Sequence, residues 1–326
     1  MSITIELMME FSDDTGLTSN KPKRRYLWTD GFAVCNFLEL YQISKDNKFK
    51  NLAIELVEQV HRILGKHRED DERSGWLGSK DSPTKRGLRI GKPLPERKPH
   101  EPFNPNLEWD RDGQYFHYLT KWMHALNRIY QVVKEEKYLT WAIDLAKAST
   151  GFIRDNRMFW KMSIDLSYPL VPSMGQHDPV DGYVTFKEIQ AVSDIDLGAA
   201  LKKFEKLMHQ INLITTDPLG IGGLLFDAYR LEQMGESEKR QTLIDAARKG
   251  LEYCQLSHVL AFRELGLAIG LQAAKKMSVL KEYWSLIDKI NDYWLQNRGW
   301  TEHKDINSVM LATSIIPGSF LSISEY

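Results

Sequence analysis

Gly222-Gly223-Leu224-Leu225-Phe226-Asp227-Ala228-Tyr229 and Leu265-Gly266-Leu267-Ala268-Ile269-Gly270-Leu271 are apolar almost without interruption, and Val309-Met310-Leu311-Ala312 repeats the pattern near the end of the chain. A helix that is apolar nearly all round has to be buried on every side. The stretches that follow the first two carry far more Lys, Glu and Asp, so they read as helices of an outer layer. The unit of the fold is therefore a buried helix paired with an amphipathic one.

The same unit recurs in both directions. Phe32, Val34, Phe37, Leu38, Leu40 and Tyr41 have helical spacing, and after the polar break Ser44-Lys45-Asp46-Asn47 it is repeated by Phe49, Leu52, Ala53, Leu56, Val57, Val60 and Leu64. Further pairs are predicted at about 113–133 with 138–152, 180–190 with 195–211, 219–233 with 239–256 and 258–274 with 279–295, before a last apolar helix at 306–316. Five hairpins and the start of a sixth, at a period of roughly forty to fifty residues, mark a repeat-built helical architecture. The expected arrangement is an inner ring of helices wrapped by an outer ring, in a single domain spanning 1–326.

Composition agrees with a large buried core: 326 residues are 42% hydrophobic and 27% charged. With 43 basic against 44 acidic side chains the net charge is -1, so no global field draws nucleic acid or an anionic membrane surface, and neither is an expected partner. No apolar run is long enough to span a bilayer, and Met1 to Gly16 carries acidic residues where a secretory leader would be basic and then apolar. Cys35 and Cys254 lie far apart inside helical patterns and read as small buried side chains rather than a bridge. A cytoplasmic location is expected.

The least usual residues gather just before, or in the first turn of, alternate helices: Trp28-Thr29-Asp30, Trp109-Asp110-Arg111-Asp112, Gln176-His177-Asp178-Pro179, Asp217-Pro218, Ser257-His258 and Trp300-Thr301-Glu302-His303. In a ring of hairpins these fall on one face around one hollow, at which helix N-termini aim N–H groups and partial positive charge. Asp178-Pro179 and Asp217-Pro218 fit a helix cap followed by proline at the first helical position. Asp110-Arg111-Asp112 has one carboxylate more than a cap needs, while either Thr29 or Asp30 can cap the helix that follows. Gly220-Ile221-Gly222-Gly223 lacks the Lys and Ser/Thr of a phosphate loop and reads as a tight turn leading into an inner helix. His117 and His124 are too far apart in sequence for one metal ion, and neither a metal nor a cofactor is expected.

The alternation of apolar and amphipathic helices over nearly the whole chain, with Trp-, Asp- and His-containing turns leading into the apolar ones, resembles the six-hairpin (α/α)6 toroids. That group includes many glycoside hydrolases, unsaturated-uronyl hydrolases and the N-acylglucosamine and cellobiose 2-epimerases. The likeness is architectural and carries over no catalytic residue. It implies an all-α toroid with a carbohydrate pocket at the inner-helix N-termini. Terpene cyclases and protein-prenylating subunits share this architecture, but the aspartate-rich clusters of terpene synthases are absent.

A glycoside hydrolase needs one protonated carboxyl and a second that activates water or attacks, for which Asp110 or Asp112 is the candidate acid and Asp30 or Glu302 the candidate base. A sugar epimerase needs two proton-transfer groups on opposite sides of a carbon, and His258 and His303 are the candidate pair. A non-catalytic toroid that binds a partner through its long loop is the third reading. Trp28, Trp76, Trp109, Tyr115 and Trp300 supply faces for a sugar ring, and His117 and His177 polar contacts, while His177 beside Asp178 and His258 near Arg263-Glu264 are also candidates for proton transfer. The long connection 67–111, rich in Gly and Pro but carrying Trp76, Leu77, Leu88, Ile90 and Phe103, is expected to be an ordered wall of the site. Within 85–98, Lys85, Arg86, Arg89, Lys92, Arg97 and Lys98 face only Glu96, which suits an anionic sugar gripped by Arg89.

Overall fold

Helices alternate between inner and outer positions through almost all of residues 1–324, the part that the computed structural model describes. Outer α1 (Ser2–Asp14) leads to inner α2 (Leu27–Ser44) and outer α3 (Asn47–Leu64). A long connection holding the single turn α4 (Pro105–Glu108) precedes inner α5 (Phe116–Val133) and outer α6 (Glu136–Ser149). Inner α7 (Asp178–Ala191), α9 (Pro218–Gln233) and α11 (Ala261–Lys276) then alternate with outer α8 (Gly198–Met208), α10 (Ser237–Leu251) and α12 (Ser285–Gln296). Inner α13 (Lys304–Ile315) and the short α14 (Gly318–Leu321) follow.

The inner helices pack in sequence, α2 on α5, α5 on α7, α7 on α9, α9 on α11 and α11 on α13, and α13 returns to α2, so the ring closes. Each of the first five has its following helix outside it, whereas α13 is covered by α1 from the other end of the chain. The sixth hairpin that the sequence leaves unfinished is thus completed by a helix three hundred residues earlier, and pairing by neighbourhood along the chain misses it. The result is an (α/α)6 toroid. Patterning explains the layers: every residue of α2 from Leu27 to Leu38 is buried, while α3 buries a stripe that includes Phe49, Ala53, Leu56, Val57, Val60 and Leu64. No helix among the described residues is long and apolar enough to cross a membrane.

Gly220-Ile221-Gly222-Gly223 is not a turn but part of the first turns of α9. Its second glycine is where α9 and α11 touch: a Cβ at Gly222 would collide with the Gly266 carbonyl, and one at Gly270 with the Gly222 backbone. Glycine is used here for close approach of two helices. Gly222→Ala is expected to destabilise the fold by about 1–3 kcal/mol through overpacking, read as a lowered urea midpoint at unchanged slope. An unmoved midpoint would mean that the helices can separate freely.

The connection between α3 and α5 is ordered, with Leu88 and Ile90 buried, but it does not wall the central hollow. It is fastened to the outside instead: Thr84 Oγ1 donates to the Trp141 carbonyl (2.8 Å), Trp141 Nε1 to the Asp81 carbonyl (3.1 Å), and the Ile164 N–H to Glu96 (2.6 Å). Two short antiparallel ladders accompany it. The strand β1 (Gln114–Tyr115) pairs with β4 (Lys161–Met162), and β2 (Ile153–Arg154) with β3 (Arg157–Met158) across Asp155 and Asn156, both at positive φ. The first ladder sets Trp160 beside the start of α5. From α14, Phe320 stacks between Phe32 (4.3 Å) and Phe226 (4.4 Å), joining opposite sides of the ring.

Candidate active site

The ring encloses a pocket of about 460 Å³, lined at the N-terminal ends of the inner helices by Trp28, His117, Asp178, Gly220 and Arg263, and by the stacked trio Phe32, Phe226 and Phe320. Such a pocket, mostly apolar with a few convergent polar groups, is the usual form of a small-molecule site. Its polar groups concentrate where α7 begins. His177 is the residue before α7, and its Nε2 lies 2.7 Å from Oδ2 of Asp227, which α9 holds fully buried. Burial works to raise the Asp227 carboxyl, but Arg230, one turn along the same helix, and His177 outweigh it and hold the group well below the usual carboxylate range. With the Nε2 proton donated to an ionised Asp227, His177 Nδ1 keeps a lone pair able to accept a proton.

Asp178, next in sequence, behaves in the opposite way. Its side chain caps nothing: one carboxyl oxygen is buried without a hydrogen-bond partner, and the group rests against Gly175, where a Cβ would collide with it. Burial and then the neighbouring Asp181 push the carboxyl up to about 7. His117 Nδ1 is 3.7 Å from its other oxygen, and burial lowers that imidazole to about 4, so it is neutral. An Asp whose surroundings favour the protonated carboxyl thus stands next to a His whose Nε2 is engaged by Asp227. The second Asp-Pro does what its sequence suggests, Asp217 accepting from Gly220 N–H (2.9 Å) at the start of α9 while also meeting Arg263 (2.5 Å).

The sign of the pH dependence follows. Folded Asp178 keeps its proton up to about 7, whereas an unfolded aspartate loses it near 3.8. Between these values the native state binds a proton that the unfolded chain does not, so the contribution is greatest below 3.8 and is lost as pH rises through about 7. Asp178→Asn is therefore expected to gain stability relative to wild type across this window, in melting curves taken from pH 4 to 8. A constant difference would show that Asp178 ionises as an ordinary carboxyl.

Beneath these residues lies a buried ionic cluster joining α5, α7 and α9. Lys121 reaches both oxygens of Asp181 (2.7 and 2.8 Å), Arg230 bridges Asp181 (3.0 Å), Glu188 (2.9 Å) and Asp227, and His124 sits 2.9 Å from Glu188. Burial opposes ionisation of Glu188, but His124, Arg230 and Asn127 keep it at about 2. Both oxygens of Asp181 are held by hydrogen bonds from Lys121, Arg230 and Thr120, so it shapes the site without being free to react.

Of the residues that the sequence offers as catalytic or sugar-binding, Trp28, His117 and His177 line this pocket and the others do not, while Gln176, Asp178 and Asp217 from the helix-start segments line it as well. Asp112 and Arg89 hold each other (2.5 Å), with Arg68, Gly91 N–H and Gly113 N–H also on Asp112 and two backbone carbonyls on Arg89. They lock the long connection and hold Arg89 outside the ring, where it cannot grip an acidic sugar bound in the central pocket. Asp110 is exposed outside the pocket, and Trp109, 60% exposed, leans on Trp160 (6.0 Å). Asp30 accepts from Tyr26 N–H (2.9 Å) and pairs with Arg25 behind α2, and Tyr115 is buried against Trp160 (4.9 Å). His258 stacks on Tyr293 (3.9 Å) and meets Glu264, whereas His303 packs on Phe262 (5.6 Å), so the two do not face each other across the pocket. Glu302 is exposed, Trp76 lies under Lys66, and Trp300 packs near Trp294. Sequence reasoning missed Asp181, Asp227, Arg230 and Lys121. Their signal was present as charges placed inside helices that otherwise read as buried. Among the described residues no three His, Cys, Asp or Glu side chains converge on a metal position.

No family model and no curated protein matches the chain. Among solved structures it is similar to a family 76 α-mannanase of Bacteroides thetaiotaomicron (TM-score 0.64, 9% identity, 98% of this chain and 96% of that one). It is also similar to an inactive variant of an α-1,6-mannanase of a Salegentibacter species in complex with α-1,6-mannotriose (TM-score 0.63, 12% identity, 98% and 99%). A sugar epimerase from a ruminal bacterium is a third (TM-score 0.60, 7% identity, 96% and 95%). At these identities the likeness is one of fold, and the fold is the (α/α)6 toroid.

Proposed function

We propose that the chain binds a small carbohydrate in the ring and moves protons on it, as a sugar epimerase or isomerase does. The observation that carries this reading is the His177 Nε2 to Asp227 contact at 2.7 Å beside Asp178, which has no capping role. His177 takes a proton from the carbon next to the carbonyl of an open-chain sugar while Asp178 gives one to the carbonyl oxygen, leaving an enediol. Asp178 then recovers a proton from the neighbouring hydroxyl as His177 returns its own to the former carbonyl carbon, so that an isomerisation is completed with no net proton gained or lost. Trp28 and Trp160 provide ring faces, and neutral His117 a hydrogen bond to a hydroxyl. Two of the similar folds support a sugar ligand, one held with α-1,6-mannotriose and one named as a sugar epimerase.

Hydrolysis is the second reading, because Asp178 has the protonation state of a glycosidase acid. It requires a partner carboxylate, and of the other two lining the pocket Asp181 is held by Lys121, Arg230 and Thr120 and Asp217 by its helix start and Arg263. The two readings separate in one experiment. Free hexoses and disaccharides are incubated with the protein in heavy water, α-1,6-mannotriose in parallel, and followed by NMR. Exchange of a C–H for deuterium, or a new sugar isomer, supports proton transfer. Release of new reducing ends without exchange would replace that reading with hydrolysis.

A further inference from the structure

A second cavity, about 480 Å³, lies against the opposite face of the α2 N-terminus. Tyr26, Thr29 and Asp30 line it, at the spacing of one helical face, whereas Trp28 lines the central pocket. Its walls come from the α1–α2 connection, the end of α3 and the long connection, and they are basic: Lys23, Arg24, Arg25, Arg89 and Lys92 against Asp30 and Asp305. Counting Asp112 behind Arg89, five cations meet three carboxylates.

The cations differ in how far they are satisfied. Arg89 is closed by Asp112, and Arg24 is 3.3 Å from Asp305. Arg25 is 4% exposed; its Nη2 donates to the Thr15 carbonyl (2.6 Å) and its Nη1 lies a long 3.4 Å from Asp30, but its Nε is buried with no hydrogen-bond partner. A buried, unpaired guanidinium N–H is costly unless something accepts from it. Lys92 has no carboxylate at ion-pair distance, its ammonium lying 5.4 Å over the Tyr26 ring, and Lys23 has no charged partner among the described residues.

We propose that this cavity binds a small oxyanion, a phosphate or carboxylate group, through Lys23, Lys92, Arg24 and Arg25. Two of the six basic residues in the 85–98 stretch of the long connection, Arg89 and Lys92, thus face a cavity outside the ring. Only one aromatic layer divides the two sites: the Tyr26 hydroxyl meets that of Tyr118 (2.5 Å), and Tyr118 packs on Trp28 (5.3 Å) and His117 (4.8 Å).

Titration calorimetry on the full chain at fixed ionic strength tests this, with inorganic phosphate in one arm and citrate in the other. Saturable binding in at least one arm is expected and names the group. Lys23→Ala with Lys92→Ala should weaken it about tenfold or more, the scale of losing charge-assisted hydrogen bonds, while Lys92→Arg should retain it. Circular dichroism of the double variant checks that the fold persists. Asp178→Asn should leave anion binding unchanged, so the outcome is independent of the sugar reading. Heat that does not saturate in either arm, equal affinity in the double variant, or loss of binding in Asp178→Asn would each overturn the proposal.

Discussion

Asp178→Asn is expected to keep the fold and lose turnover by about 10²–10⁴-fold, the usual contribution of a well-placed general acid or base. The amide cannot deliver the proton that burial and Asp181 keep on the carboxyl. His177→Ala should fall by a similar factor, because it removes the partner that accepts a proton. Asp227→Asn is the more searching variant. It keeps a group at 2.7 Å from His177 Nε2 but can present an N–H there, favouring the tautomer whose Nδ1 carries the proton. A loss of about 10²-fold or more with substrate affinity retained is expected by analogy with the aspartate of a Ser-His-Asp triad. Rates are to be compared on the sugar that wild type turns over best, alongside melting curves. Full turnover in all three variants would remove these residues from the chemistry.

Arg230→Met should have the largest effect on stability. Arg230 is fully buried and is the shared partner of Asp181, Glu188 and Asp227. Removing one member of a buried ionic group leaves charge without compensation, and a loss of about 3–5 kcal/mol is expected, measured from urea unfolding. Lys121 and His124 remain on the cluster but reach only Asp181 and Glu188. A loss below about 1 kcal/mol, the range of an exposed ion pair, would mean that the cluster is not dry or that its carboxyls take up protons freely.

The layers of the toroid were legible because burial leaves a direct trace in sequence. Leu265 to Leu271 is apolar on every side and is buried throughout, since α11 has neighbours on both sides in the ring and α12 outside. The closing of the ring by α1 was not legible, because nothing in Ser2–Asp14 states which helix it will cover. The site was harder to read for a related reason. Asp227 stands within the stretch that fixes the inner layer, yet its role depends on Arg230 one turn away and on His177 just ahead of α7. The two Asp-Pro starts are alike in sequence and differ in structure: Asp217 turns back to the Gly220 N–H, while Asp178 lies against Gly175 in a loop whose path no local pattern specifies. Asp112 and Arg89 were conspicuous as charges, and they found each other across the long connection.

Where a sugar sits decides whether this pocket is the reacting site. A crystal structure of the protein soaked with the sugar that exchanges fastest in heavy water, or with mannose at saturation if none does, should show it inside the ring near Trp28 and Trp160. A carbon should lie about 3–3.5 Å from His177 Nδ1, the separation of a reactive complex, with a sugar oxygen within hydrogen-bond reach of Asp178. A sugar bound clear of both residues, at the rim or outside the ring, would contradict the assignment of this pocket as the reacting site.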